Sequence, residues 1–155
     1  MYKVDTKEPP ERFFEDFREG QEIPVVTKGP MTAGHQVRWA GACDNYASEF
    51  HHDAAVARAQ GLPGLLLSGP FMASYMLTEV KHWLGSRARL LSFWDRNSAT
   101  TMPGDTASIR ASVKRAWAVD GKGMLEIDCQ IINQDDKVTT PGGVVAELSL
   151  REARA

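Results

Sequence analysis

Cysteine is scarce in this chain: 155 residues hold two, Cys43 and Cys129. They stand too far apart for a paired metal-ligand or redox spacing, and their rarity makes a reducing cytoplasm the default setting. Long apolar runs are absent as well. No stretch approaches the roughly twenty residues that a membrane span needs, and the start of the chain is too charged and aromatic to be a signal peptide. Charge of one sign is not in excess: 18 Lys and Arg stand against 20 Asp and Glu, a net of −2. That gives no electrostatic case for nucleic acid or for a membrane surface. Repeats, low-complexity tracts and linkers are missing, as are a helical His-x-x-x-His pair and a Gly-x-Ser-x-Gly elbow. What remains is an ordinary globular composition, 43% hydrophobic and 25% charged, long enough for one core. The expectation is a single domain over 1–155, with 1–12 as an extended arm.

The longest apolar element runs from Gly69 to Leu84. Ser68 suits an N-cap, Pro70 falls in the first turn, and Gly85 can end the helix in a left-handed conformation. Phe71, Met72, Tyr75, Met76, Val80, Trp83 and Leu84 recur at helical spacing and cover more than one face, so other elements must wrap this helix. Upstream, Phe13, Phe14 and Phe17 anchor the arm, and Gln21–Lys28 reads as a strand ending at Gly29-Pro30. Thr32 caps a helix over Ala33–Cys43, with Val37, Trp39, Ala40 and Cys43 as its apolar side. Residues 44–53 form a polar loop, and Ala54–Gln60 a short helix ended by Gly61. Downstream, Arg87–Ser98 reads as a strand, then Met102-Pro103-Gly104-Asp105 as a turn. Thr106–Val119 and Met124–Asn133 alternate apolar and polar, joined by a hairpin turn over 120–123. After a turn at 133–136, Val138–Leu150 is the last strand, with Gly142-Gly143 as a bulge or bend. One dominant helix followed by an antiparallel meander is an α+β plan.

Chemistry concentrates in the polar loop, where Asp44, Tyr46, Glu49, His51, His52 and Asp53 crowd together. Histidine changes charge nearest neutral pH, so a pocket histidine can exchange protons with a substrate, and a nearby carboxylate or phenol can orient it. The competing reading is a solvated loop. Metal binding is disfavoured, because consecutive residues rarely ligate one ion. Ser68-Gly69-Pro70 is the second candidate. Pro70 has no N–H, so Gly69 is the natural donor to a carbonyl oxygen that gains charge; plain helix capping is the alternative. Arg87, Arg89, Arg96, Arg110, Lys114 and Arg115 suit either substrate phosphates or solvated strand faces.

These residues together resemble the MaoC-like hydratase/dehydratase family. The resemblance lies in Arg38-Trp39-Ala40-Gly41-Ala42, in Phe50-His51-His52-Asp53, and in Ala57-Arg58-Ala59-Gln60-Gly61-Leu62-Pro63-Gly64. It continues in Ser68-Gly69-Pro70 and in Met102-Pro103-Gly104-Asp105-Thr106. It covers roughly Phe13 to Leu150. It implies a hot-dog fold, a sheet wrapped around one long helix, assembled as a homodimer or higher oligomer or with a different partner chain. It implies a hydro-lyase acting on 2-enoyl/3-hydroxyacyl thioesters of coenzyme A or an acyl carrier protein, with no metal and no redox cofactor. His51 and Asp53 match the family's Asp-x-Asn-Pro-Ile-His-x-Asp. The catalytic aspartate position falls at Tyr46 or Asn45, depending on the direction of counting, with Asp44 the nearest carboxylate upstream. The implied site is therefore His51 with Asp44 or Tyr46, and Ser68 and Gly69 at the thioester carbonyl. A degenerate thioester-binding subunit, a thioesterase and a polyketide-tailoring enzyme are the alternatives.

Overall fold

The computed structural model describes residues 8–44 and 48–151. Strand β1 is Val26–Lys28, helix α1 Ala33–Cys43, α2 Ala54–Ala59 and α3 Gly69–Leu84. Strands β2 (Arg89–Asp95), β3 (Ala107–Val119), β4 (Lys122–Ile132) and β5 (Val138–Ser149) follow. The five strands form one antiparallel sheet in the order β1-β3-β4-β5-β2. The α+β expectation and its long central helix are met.

Alternation builds the inner face of the sheet. Ala107, Ile109, Ala111 and Val113 of β3, Leu125, Ile127, Cys129 and Ile131 of β4, and Val144, Ala146 and Leu148 of β5 are all buried. Helix α3 answers with Met72, Met76, Val80 and Leu84, each four residues on and at most 2% exposed. The two sets form one core. Gly85 ends α3 at φ +93°, its N–H donating to the Lys81 carbonyl.

Several expectations shift. The first strand shrinks to three residues because Pro24 has no N–H to donate. Residues 20–23 still run along β3, through Gly20 N–H to Val113 O and Ile23 N–H to Ala111 O, both 2.8 Å. The hairpin loop is only Asp120-Gly121, both left-handed at φ +50° and +73°, and Lys122 and Gly123 already pair with β3. Gly142 and Gly143 form no bulge: each pairs in regular register with β2 and β4. Lacking side chains, they leave room on opposite faces, Gly142 for the tip of Met76 and Gly143 for the indole of Trp94. Helix α1 also turns differently. Gln36 and Ala40 are its buried residues, whereas Val37 is 44% exposed and Cys43 faces solvent.

The N-terminal phenylalanines anchor as expected. Phe17 is buried edge-on to Trp83, with ring centroids 4.9 Å apart, and Phe14 packs over Gly123. Asp105 closes the 102–105 turn by accepting the Met102 N–H at 2.8 Å, and its second carboxylate oxygen accepts from Gln134.

Candidate active site

Residues 66–68 run extended into the head of α3, and three different elements hold their backbone N–H groups. Leu66 N–H donates to Phe50 O, Leu67 N–H to Thr101 O at 2.9 Å, and Ser68 N–H to the Gln36 side-chain oxygen at 2.9 Å. The next N–H is that of Gly69, at the first position of α3. It has no hydrogen-bond partner among the described residues. Pro70 follows with no N–H at all. Gly69 N–H is therefore a free donor lining the positive end of a sixteen-residue helix, the arrangement that stabilises an oxygen gaining negative charge.

His51 closes a single 3-10 turn, Glu49–His51, ahead of α2. Its Nδ1 lies 2.8 Å from the Leu66 carbonyl. A carbonyl only accepts, so Nδ1 carries the proton and the neutral ring keeps its lone pair on Nε2. The strap that fixes the ring thus also selects the tautomer able to take a proton. Phe50 flanks the ring at 4.3 Å between centroids.

His51 and Gly69 line the same cavity, of about 490 Å³. Phe50, Leu66, Leu67 and Met72 give it apolar wall, and Asn97, Ser98, Thr100, Thr101 and Thr140 a polar one. The Asn97 carboxamide rests where a Cβ on residue 69 would stand. Glycine is thus the residue that lets this group approach the helix head.

The other expected site residues sit apart. Asp44 caps the C-terminus of α1 in a left-handed conformation, φ +50°, exposed, and is not among the cavity-lining residues. Tyr46 lies outside the described residues. Ser68 is buried at the N-cap, but its hydroxyl caps nothing and has no hydrogen-bond partner among the described residues. Asp53 caps α2, its side chain accepting from Ala55 and Val56 N–H at 2.7 and 3.2 Å. None of the six basic candidates is among the cavity-lining residues: Arg87 pairs with Glu11, Arg110 with Asp136, and Lys114 with Glu126 and Asp128. No group of three His, Cys, Asp or Glu side chains suited to a metal occurs among the described residues.

Sequence reasoning missed Gln36, Asn97, Thr101 and Thr140. Gln36 and Thr140 left a readable signal, each being a polar residue within a buried alternation. Gln36 precedes Ala40 by one helical turn, and Thr140 precedes Gly142, Val144, Ala146 and Leu148 at strand spacing.

No protein-family model matches the chain, and no functionally curated protein matches it. Solved structures do. The (R)-hydratase PhaJ1 of Pseudomonas aeruginosa superposes with a TM-score of 0.79 at 14% identity, covering 92% of each chain. A MaoC-like dehydratase from Rhodospirillum rubrum gives 0.77 at 19% identity, over 92% of this chain and all of the other. A chain of the ChsH1–ChsH2 complex from Mycobacterium tuberculosis gives 0.73 at 22% identity, over 86% of this chain and 98% of the other. The chain has the hot-dog fold of the solved MaoC-like dehydratases and (R)-hydratases.

Proposed function

We propose that the protein is an acyl-thioester hydratase or dehydratase acting on 2-enoyl/3-hydroxyacyl groups. The observation that carries the reading is the shared cavity of His51 and Gly69. In this reading the thioester carbonyl accepts a hydrogen bond from Gly69 N–H. Water adds its oxygen to C3 while His51 Nε2 takes one of its protons. Charge collects on the thioester oxygen, at the head of α3, and C2 then takes up a proton as His51 gives up the one it accepted, which restores the neutral ring. The reverse sequence removes water. The only prosthetic chemistry the reading requires is the carrier of the acyl group, coenzyme A or the phosphopantetheine of a carrier protein. Its setting is the cytoplasm, in keeping with two free cysteines.

The test follows two signals on one set of 2-enoyl thioesters. Hydration bleaches the absorbance of the conjugated thioester without releasing thiol. Thiol release at the same rate would instead make the protein a thioesterase.

A second reading is favoured by one feature: no carboxylate lines the cavity among the described residues. A hydratase that needs a second acid or base must take it from Tyr46, from a moved Asp44 or from another chain. A neighbour in fold is part of a two-protein complex, which supports a heteromeric assembly in which this chain binds the thioester and a partner completes the chemistry. Turnover that appears only on adding the partner would decide for this reading.

A further inference from the structure

Thr140 stands where the pattern of β5 calls for an apolar residue. Along the inner face of that strand, Gly142, Val144, Ala146 and Leu148 are all buried, and Thr140 holds the preceding place in the same alternation. It is 1% exposed, and Thr101, which also lines the cavity, is 4% exposed. Neither hydroxyl has a hydrogen-bond partner among the described residues. Unlike the Ser68 hydroxyl, which is sealed off, both retain surface, and the hollow they border is the cavity of His51 and Gly69. A buried hydroxyl without a partner is unfavourable, and valine would fill the same volume with no such cost.

The polar wall is also graded in depth. Asn97, Ser98 and Thr100 are exposed, at the mouth, whereas Thr101 and Thr140 are buried, at the inner end. A carrier is large and charged and stays at the mouth. What reaches the inner end is the acyl chain.

We propose that Thr101 and Thr140 receive a hydrogen-bonding oxygen on the acyl chain, a hydroxyl or oxo group beyond the reacting C2–C3 pair. The protein then selects oxygenated acyl thioesters over plain alkyl ones. This rests on the thioester reading above. Sites built to hydrogen-bond a substrate group discriminate strongly against the analogue that lacks it, because their own buried polar atoms are left unmatched.

The test is calorimetric binding of two unreactive 2-oxoalkyl coenzyme A thioethers to the full chain. The two are matched in length, one ending in a methyl group and the other bearing a hydroxyl near the tip. The hydroxylated ligand is expected to bind about tenfold tighter or more. Thr140→Val should remove the preference without weakening the alkyl ligand, Thr140→Ser should keep part of it, and Thr101→Val should reduce it independently. Thermal melting of each variant separates lost folding from lost recognition. Equal or tighter binding of the alkyl ligand by the wild type overturns the proposal, as does failure of both ligands to bind. So does an equal loss for both ligands in Thr140→Val, which would assign the hydroxyl to the carrier arm. The readout needs no turnover, so a protein that binds with this preference but hydrates nothing would sink the hydratase reading alone.

Discussion

In the proposed hydratase His51 divides its two ring nitrogens between structure and chemistry, and substitutions can separate them. Asparagine reaches about as far as Nδ1 and can still donate to the Leu66 carbonyl, 2.8 Å from that nitrogen, but it offers nothing in place of Nε2. His51→Asn should therefore melt close to the wild type while hydration falls by about 10²–10⁴-fold, the usual worth of a positioned acid or base. His51→Ala should lose both. Cys129 makes a second contrast. Burial, with Asp128 and Asp95 nearby, pushes its thiol up from 9.0 to about 12, whereas Cys43 is exposed. At pH 8 a thiol reagent should modify one equivalent in the native protein and two after denaturation. The folded thiol ionises later than the unfolded one, so its contribution is complete below about pH 9 and is lost as pH rises from there toward 12. Native labelling of both cysteines would contradict the packing of β4.

At the scale of elements, a buried bond from Ser68 N–H to the Gln36 side-chain oxygen ties α1 to the residue that leads into α3, beside the packing of Trp39 on Phe71. Gln36→Leu would leave that N–H buried and unpaired, at a cost of about 1–3 kcal/mol. Because the N–H belongs to the residue before Gly69, the damage should include affinity for the thioester. A drop in Tm with unchanged ligand affinity would show that α1 merely covers α3. Elements were the level most legible in the sequence. Helix α3 appears with its ends as read, because Pro70, Gly85 and the apolar spacing are local signals, although the Ser68 side chain does not cap it. Strands β3 and β4 appear nearly so, because alternation is local too. Failures came where a distant group decided. Gln36 faces inward because the Ser68 backbone needs an acceptor, a partner 32 residues away. The two glycines of β5 are explained by Met76 and Trp94 rather than by a bend, and neither residue is near them in the chain.

For the whole molecule, the sheet brings together residues the chain keeps apart. His51 and Gly69 were legible because each carries its chemistry in its own identity and near neighbours. Asn97 was not, and Thr140 showed only as a polar residue in an apolar alternation, since only the alignment of the segment after β2 with the start of β5 places them at the same hollow. That alignment is visible in Ser98 N–H donating to Thr139 O at 2.8 Å. The absence of a lining carboxylate among the described residues is likewise a property of the assembled fold, and in the proposed hydratase it leaves Tyr46, a moved Asp44 or another chain to supply a second proton-transfer group.

The central claim is that one thioester lies between Nε2 of His51 and the N–H of Gly69. Proton–nitrogen NMR of the ¹⁵N-labelled protein, with a 2-oxoalkyl coenzyme A thioether titrated in, reads both groups at once. The expected result is a His51 ring protonated on Nδ1 in the neutral form, together with a downfield move of the Gly69 amide proton as its carbonyl partner arrives. A ring carrying its proton on Nε2, or a Gly69 amide unmoved while the ligand saturates the protein, would contradict it.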